Sequence, residues 1–130
     1  MTPEDLPRDV CRRWLALPAR DLNVAQMAAA AEPAISLFHS QQAVEKTAKS
    51  LIAAHRPNVL RTHDLREVGR QCAQLAPHLE PLLQGCAELT DFAVVFRYLE
   101  APYEPDQQEA LGAVAKATAL YNAIKSELDL

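Results

Sequence analysis

Apolar residues recur along this chain at three- and four-residue steps, and nowhere in the two-residue alternation of a strand. Ala34, Leu37, Val44, Ala48 and Leu51 form the clearest stripe, with Gln41 inside it, and predict a helix from about Ala34 to His55. A quarter-turn away on the same helix, at about 100° per residue, lie Phe38, Gln42, Glu45, Lys49 and Ile52. That second stripe is polar in its middle and apolar at both ends. A purely solvated face has no use for the Phe and the Ile, so this face is expected to touch something.

The rest of the pattern gives four further helices. A first runs from about Arg8 to Ala31, with Val10, Trp14, Leu17, Val24, Ala28 and Ala31 on its apolar side. Pro18 should kink or divide it, because proline removes a backbone donor and crowds the preceding turn. Pro33 ends the segment. Arg56-Pro57-Asn58 breaks the second helix, and a shorter third begins near His63 or Asp64. Asp64 and Glu67 there have the spacing of a capping box, and Leu65, Val68, Cys72 and Leu75 supply the buried side. Pro77 and Pro81 bracket the next connection, Pro81 suiting a first turn. The fourth helix carries Leu82, Cys86, Leu89, Ala93 and Phe96 on one stripe, and Leu99 to Pro105 is a loop. Asp106 and Glu109 open the last helix, whose seam is Leu111, Val114, Tyr121, Ile124 and Leu128. Short connections make neighbours antiparallel. The expected fold is all-α, an up-and-down bundle of four main helices plus a shorter one.

Composition agrees with this picture. The 130 residues suit a single domain with a real core, and 49% are apolar with only 3 Gly. With 5% aromatic residues, that core must rest on Leu, Val, Ile and Ala. A net charge of -4 argues against strong non-specific nucleic-acid binding. Cys11, Cys72 and Cys86 are odd in number and form no Cys-x-x-Cys pair, which points to buried, reduced thiols and a cytoplasmic setting. No apolar run reaches the roughly 18 residues of a membrane span, and the N-terminus does not read as a signal peptide.

The stretch Phe38-x-x-Gln41-Gln42-Ala43-x-Glu45-Lys46-x-x-Lys49, followed by Thr62-His63-Asp64-Leu65, resembles the core signature of the HEPN domain (higher eukaryotes and prokaryotes nucleotide-binding). Upstream, Trp14 with Ala19-x-Asp21-Leu22-x-x-Ala25 is similar to that family's first helix. The resemblance covers about residues 14 to 124 and implies the same helical architecture. It also implies a homodimer that pairs with a minimal nucleotidyltransferase in a toxin–antitoxin type system. Partner or nucleotide would bind in a groove lined by Lys49, His63, Arg97 and Tyr98, with Gln42 and Glu45 beside it.

Catalytic members of that family carry an Arg followed, four to six residues later, by a His. The His can move a 2′-hydroxyl proton and the Arg can stabilise charge on the phosphate, which suffices for metal-independent RNA cleavage. The corresponding Arg here is Arg97, and no His occurs among Leu99, Glu100, Ala101, Pro102, Tyr103 and Glu104. Arg56 and His63 match the spacing, with six residues between them, but they span the loop after the second helix. A non-catalytic binding module is therefore expected. An RNase toxin using Arg56 or Arg97 with His63, and a plain helical scaffold, stand as alternatives. In the toxin branch a tyrosine just after the motif can receive AMP, and Tyr103 lies in a comparable stretch. His63 itself either anchors its loop by hydrogen bonds or meets an anionic ligand at a helix N-terminus. The Gln42, Glu45 and Lys49 row reads equally as a ligand or partner site and as an ordinary surface ion pair. Lys46, on a neighbouring face, reads as solvated. His39, His55, His63 and His78 lack metal-ligand spacing and the glycines are isolated, so no metal or cofactor is expected.

Overall fold

Pro33 opens the helix around which the others pack, its fixed φ and missing N–H suiting a first turn. The computed structural model describes residues 7–55, 64–89 and 104–130. Within them α1 spans Arg8–Ala28, α2 Pro33–His55, α3 Leu65–Leu75, α4 Glu80–Ala87 and α5 Gln107–Glu127, with a 3-10 turn at Pro77–Leu79 leading into α4. No strand occurs among the described residues, and the fold is an all-α helical bundle. Helix α2 packs against α1, α5 and α3, while α4 closes the far side against α3 and α5.

Two faces of α2 explain this arrangement. One is a row of small residues at alternating four- and three-residue steps: Ser36, Ser40, Ala43, Thr47, Ser50 and Ala54, all buried. Ser36 Oγ donates to the Ala25 carbonyl at 2.6 Å, which sets this face against α1. Small side chains let two helix axes approach closely. The other face is the expected stripe of Leu37, Val44, Ala48 and Leu51, with Gln41 buried in it. It joins Val68 and Cys72 of α3, Leu79, Leu83 and Cys86, and Leu120 and Ile124 of α5 in one core.

Helix α1 is one continuous helix through Pro18 and ends at Ala28, so the proline does not divide it. The carbonyl that Pro18 leaves without an amide partner is that of Trp14, a residue at the surface. Its buried side is also rotated by one residue: Cys11, Leu15, Pro18, Leu22 and Ala25 face inward. Trp14, Leu17 and Val24 of the expected stripe keep 36%, 50% and 37% of their surface exposed. A close-packed Ser and Ala wall has room for Ala25 and a proline ring, but not for an indole.

Later helices depart at single positions. Cys86 and Leu89 are buried as expected, but Leu82 is exposed and Leu79 and Leu83 are buried in its place, since the 3-10 turn brings Leu79 into line with α4. Leu111 is exposed too, and α5 packs through Ala110, Ala113, Ala117, Leu120 and Ile124, which allow a closer approach to α2. Val114 is buried as expected. Ala93 and Phe96 lie outside the described residues.

The helix ends follow from local chemistry. Asp106 accepts from the Glu109 amide at 2.9 Å, as its N-cap position requires. Asp64 caps α3 through the Arg66 amide at 3.0 Å, but Glu67 does not complete a capping box. Its carboxylate turns instead to Arg70 and Gln71, and these bonds hold it far below the usual carboxylate range, at about 2. Helix α5 ends in a Schellman motif, with Asp129 in the left-handed region at φ 59 and Leu130 N–H donating to the Lys125 carbonyl. An ion pair between Arg8 and Asp129 joins the ends of α1 and α5.

Charged side chains register α1 against α2. Asp21 is buried and takes Lys46 Nζ at 2.7 Å and His39 Nδ1 at 2.9 Å, one on each carboxylate oxygen. Lys46 is thus engaged rather than solvated. Replacing Asp21 by Ala leaves Lys46 and His39 uncompensated at the seam and should cost roughly 3 kcal/mol in urea unfolding. A loss near zero would mean that the seam is held by the small-residue packing alone.

The cysteines are free and buried, as expected. Cys72 Sγ donates to the Ala48 carbonyl at 3.1 Å and Cys86 Sγ to the Lys116 carbonyl at 3.6 Å. Burial pushes their thiols up to about 12 and about 11 from an ordinary 9.0, Lys116 pulling slightly the other way on Cys86. A raised thiol pKa stabilises the fold below pH 9, and that contribution fades as pH climbs through 11 to 12. Native protein at pH 8 should therefore leave Cys72 and Cys86 unlabelled by iodoacetamide until urea unfolds it; fast native labelling would contradict this burial.

Candidate functional site

The polar stripe of α2 runs from the surface into the interior. Phe38 at its outer end is exposed and Ile52 at its inner end is buried. Between them Gln42 is half-buried, and its Nε2 donates to Gln41 Oε1 at 3.0 Å. Glu45 keeps only 6% of its surface, and Lys49, one turn on, 20% of its side chain. Lys49 Nζ lies 3.3 Å from Glu45 Oε1. The pair is therefore no solvated surface bridge. Its Glu-before-Lys order at i, i+4 is the favourable one on a helix.

Burial changes what the pair costs. Taking both charges from water carries a desolvation penalty that their attraction often fails to repay, and apolar residues of equal volume frequently do as well or better. Glu45 and Lys49 lie one turn apart on the same helix, so α2 itself sets their spacing. Its chemistry is that of a preformed, partly covered ammonium held by a carboxylate, with the Gln42 amide one turn away. Such a set can contact an anion through Lys49 and hydrogen-bond a polar edge through Gln42.

The structure thus brings together Gln42, Glu45 and Lys49 among the expected site residues. Arg56, His63, Arg97, Tyr98 and Tyr103 lie outside the described residues, so the groove that the last four were expected to line or adjoin is not on view. Among the described residues no group of His, Cys, Asp and Glu is placed to hold a metal ion. No described helix is long and apolar enough to cross a membrane.

Two features escaped the sequence reading. The Asp21, His39 and Lys46 cluster was visible as a carboxylate set in the middle of an apolar stripe, between Leu17 and Val24. The Ser36, Ser40, Ala43, Thr47 and Ser50 row had a helical spacing but no apolar signal. Ser40 Oγ and Thr47 Oγ1 in that row are buried without a hydrogen-bond partner.

Comparison with known families gives the chain its place. The model of the HEPN domain matches residues 12–127, nearly the whole sequence, and the protein belongs to that family. Neither the curated proteins nor the solved structures offer a match.

Glu45→Ala should destabilise the protein by roughly 3 kcal/mol in urea unfolding, because it strands the Lys49 ammonium in a covered site. A change of only a few tenths, as for an exposed helix pair, would show that Lys49 reaches water freely.

Proposed function

We propose that this HEPN domain is a non-catalytic, homodimeric binding module of the cytoplasm that works with a minimal nucleotidyltransferase, in a pair of toxin–antitoxin type. It takes that partner or a nucleotide at the α2 face that carries Gln42, Glu45 and Lys49. The observation that carries this reading is the burial of an ion pair within a single helix. An ammonium held in this way, with the Gln42 amide on the same face, is oriented for an anionic ligand or partner. In this reading His63, Arg97 and Tyr98 complete the groove, and the absence of a His in the residues following Arg97 leaves the domain without the family's cleavage pair.

Calorimetric titration with ATP, and with a purified minimal nucleotidyltransferase, tests the assignment. Lys49→Ala and Arg97→Ala should each weaken one of these interactions about tenfold or more, the worth of one charge-assisted contact. Helical circular dichroism should stay at the parent value. Unchanged binding of both probes by both variants would remove the site from this face. Mixed RNA should stay intact on incubation with the protein; cleavage lost in His63→Ala would establish the nuclease reading in its place.

A further inference from the structure

Helix α1 and the outer edge of α2 form a second surface, and its composition differs from that of the rest of the molecule. Trp14, Leu17 and Val24 recur at helical spacing on the outside of α1, where an apolar stripe would ordinarily be covered. Asp21 lies in the same stripe and reaches across to His39 and Lys46 of α2. That contact fixes which side of α2 adjoins the stripe. It is the side bearing Phe38, whose ring meets His39 edge-on at 5.4 Å, and Ile35 is exposed one turn before. Five exposed apolar side chains from two helices thus share one face. Exposed apolar side chains gathered on one side of a folded domain mark an interaction surface more often than chance exposure does.

Charge says what fits it. Residues 8–55 hold six Arg and Lys against four Asp and Glu, a net +2, whereas the remainder holds seven against 13, a net -6. The positive half of an acidic protein is therefore the half that carries the apolar face. Arg13 and Arg20 flank the stripe two turns apart, are exposed, and have no ion-pair partner among the described residues. The carboxylates between Arg13 and Lys49 are Asp21 and Glu45, both buried, and Glu32 in the connection at one end. A second copy of this chain would bring arginines to a face with no carboxylate along its middle to receive them.

We propose that this face docks an acidic amphipathic helix of a partner protein. The partner's apolar side covers Trp14, Leu17, Val24 and Phe38, and its carboxylates meet Arg13 and Arg20. Helix-in-groove recognition of this kind reads apolar anchors at three- and four-residue steps and takes its orientation from the flanking charges. The two surfaces meet at Phe38, the outer end of the Gln42, Glu45 and Lys49 stripe. Trp14, Leu17, Val24, Arg13 and Arg20, however, all belong to α1 and lie outside that stripe, and the test below reads them alone.

Trp14 is the only tryptophan in the chain, so its fluorescence reports docking directly. The probe is a synthetic amphipathic helix with Leu on one face and Glu on both flanks, alongside a twin with Lys in place of Glu. The Glu peptide should shift Trp14 emission to the blue and the Lys peptide should not. Arg13→Glu with Arg20→Glu should weaken the Glu peptide about tenfold or more, and added salt should weaken it further. Leu17→Asp, at an exposed position that leaves helical circular dichroism unchanged, should abolish the shift. The proposal is overturned by no shift with the Glu peptide, or by equal shifts with both peptides. It is also overturned by a shift with phosphatidylserine vesicles but not with peptide, which would make the face a lipid contact. Self-association that Leu17→Asp removes would make it an interface between copies, and would overturn it as well.

Discussion

Helix α2 has almost no side left for solvent, and most of the structure follows from how it meets each neighbour. Toward α1 it offers Ser, Thr and Ala, so the two axes can close on one another. Toward α3 and α5 it offers Leu37, Val44, Ala48 and Leu51, which join the main core. The remaining edge carries Phe38, Gln42, Glu45, Lys49 and Ile52, exposed at one end and buried at the other. A helix enclosed in this way cannot shift register without moving three neighbours. Polar groups set on it are accordingly held in fixed positions, which is what a binding site needs.

Two buried carboxylates show the difference between holding the fold and equipping it. Asp21 belongs to α1 and both its partners belong to α2, so its hydrogen bonds fix the register of one helix on the other. Glu45 and Lys49 are one turn apart on the same helix, and their bond holds the Lys49 ammonium in place. The first arrangement is explained by architecture. The second places a partly covered cation beside the Gln42 amide, which is the arrangement the proposed binding role uses.

Much of the fold was legible in the chain because the core stripe of α2 is both apolar and regular. The proline and Asx punctuation around each helix made its limits clear to within a few residues. The errors share one cause. In α1 the sequence presents two apolar stripes one residue apart, and the larger side chains of Trp14 and Leu17 draw attention to the wrong one; in α4 and α5 the expected stripes hold among the described residues except at Leu82 and Leu111. The bundle buries the neighbouring stripe because close helix approach rewards Ala, Cys, Pro and Ser at the contact. Size is a good guide to burial only where the neighbours leave room. The candidate site was half legible: the row of Gln42, Glu45 and Lys49 stood out, but its burial could not, since periodicity says which residues share a face and not what covers it. The Asp21 seam joins residues 25 positions apart and has no local signature beyond one charge in an apolar row.

The central claim is that the Glu45 and Lys49 pair is kept for binding and not for stability. The most direct measurement is a joint one on the double variant Glu45→Leu with Lys49→Met, which replaces both charges by apolar groups of similar volume. Its unfolding free energy should lie within about 1 kcal/mol of the parent or above it, as for other buried pairs exchanged whole. Its affinity for ATP or for the nucleotidyltransferase should be lost. A variant that unfolds readily and, where folded, still binds both would contradict the claim and make the pair a structural element.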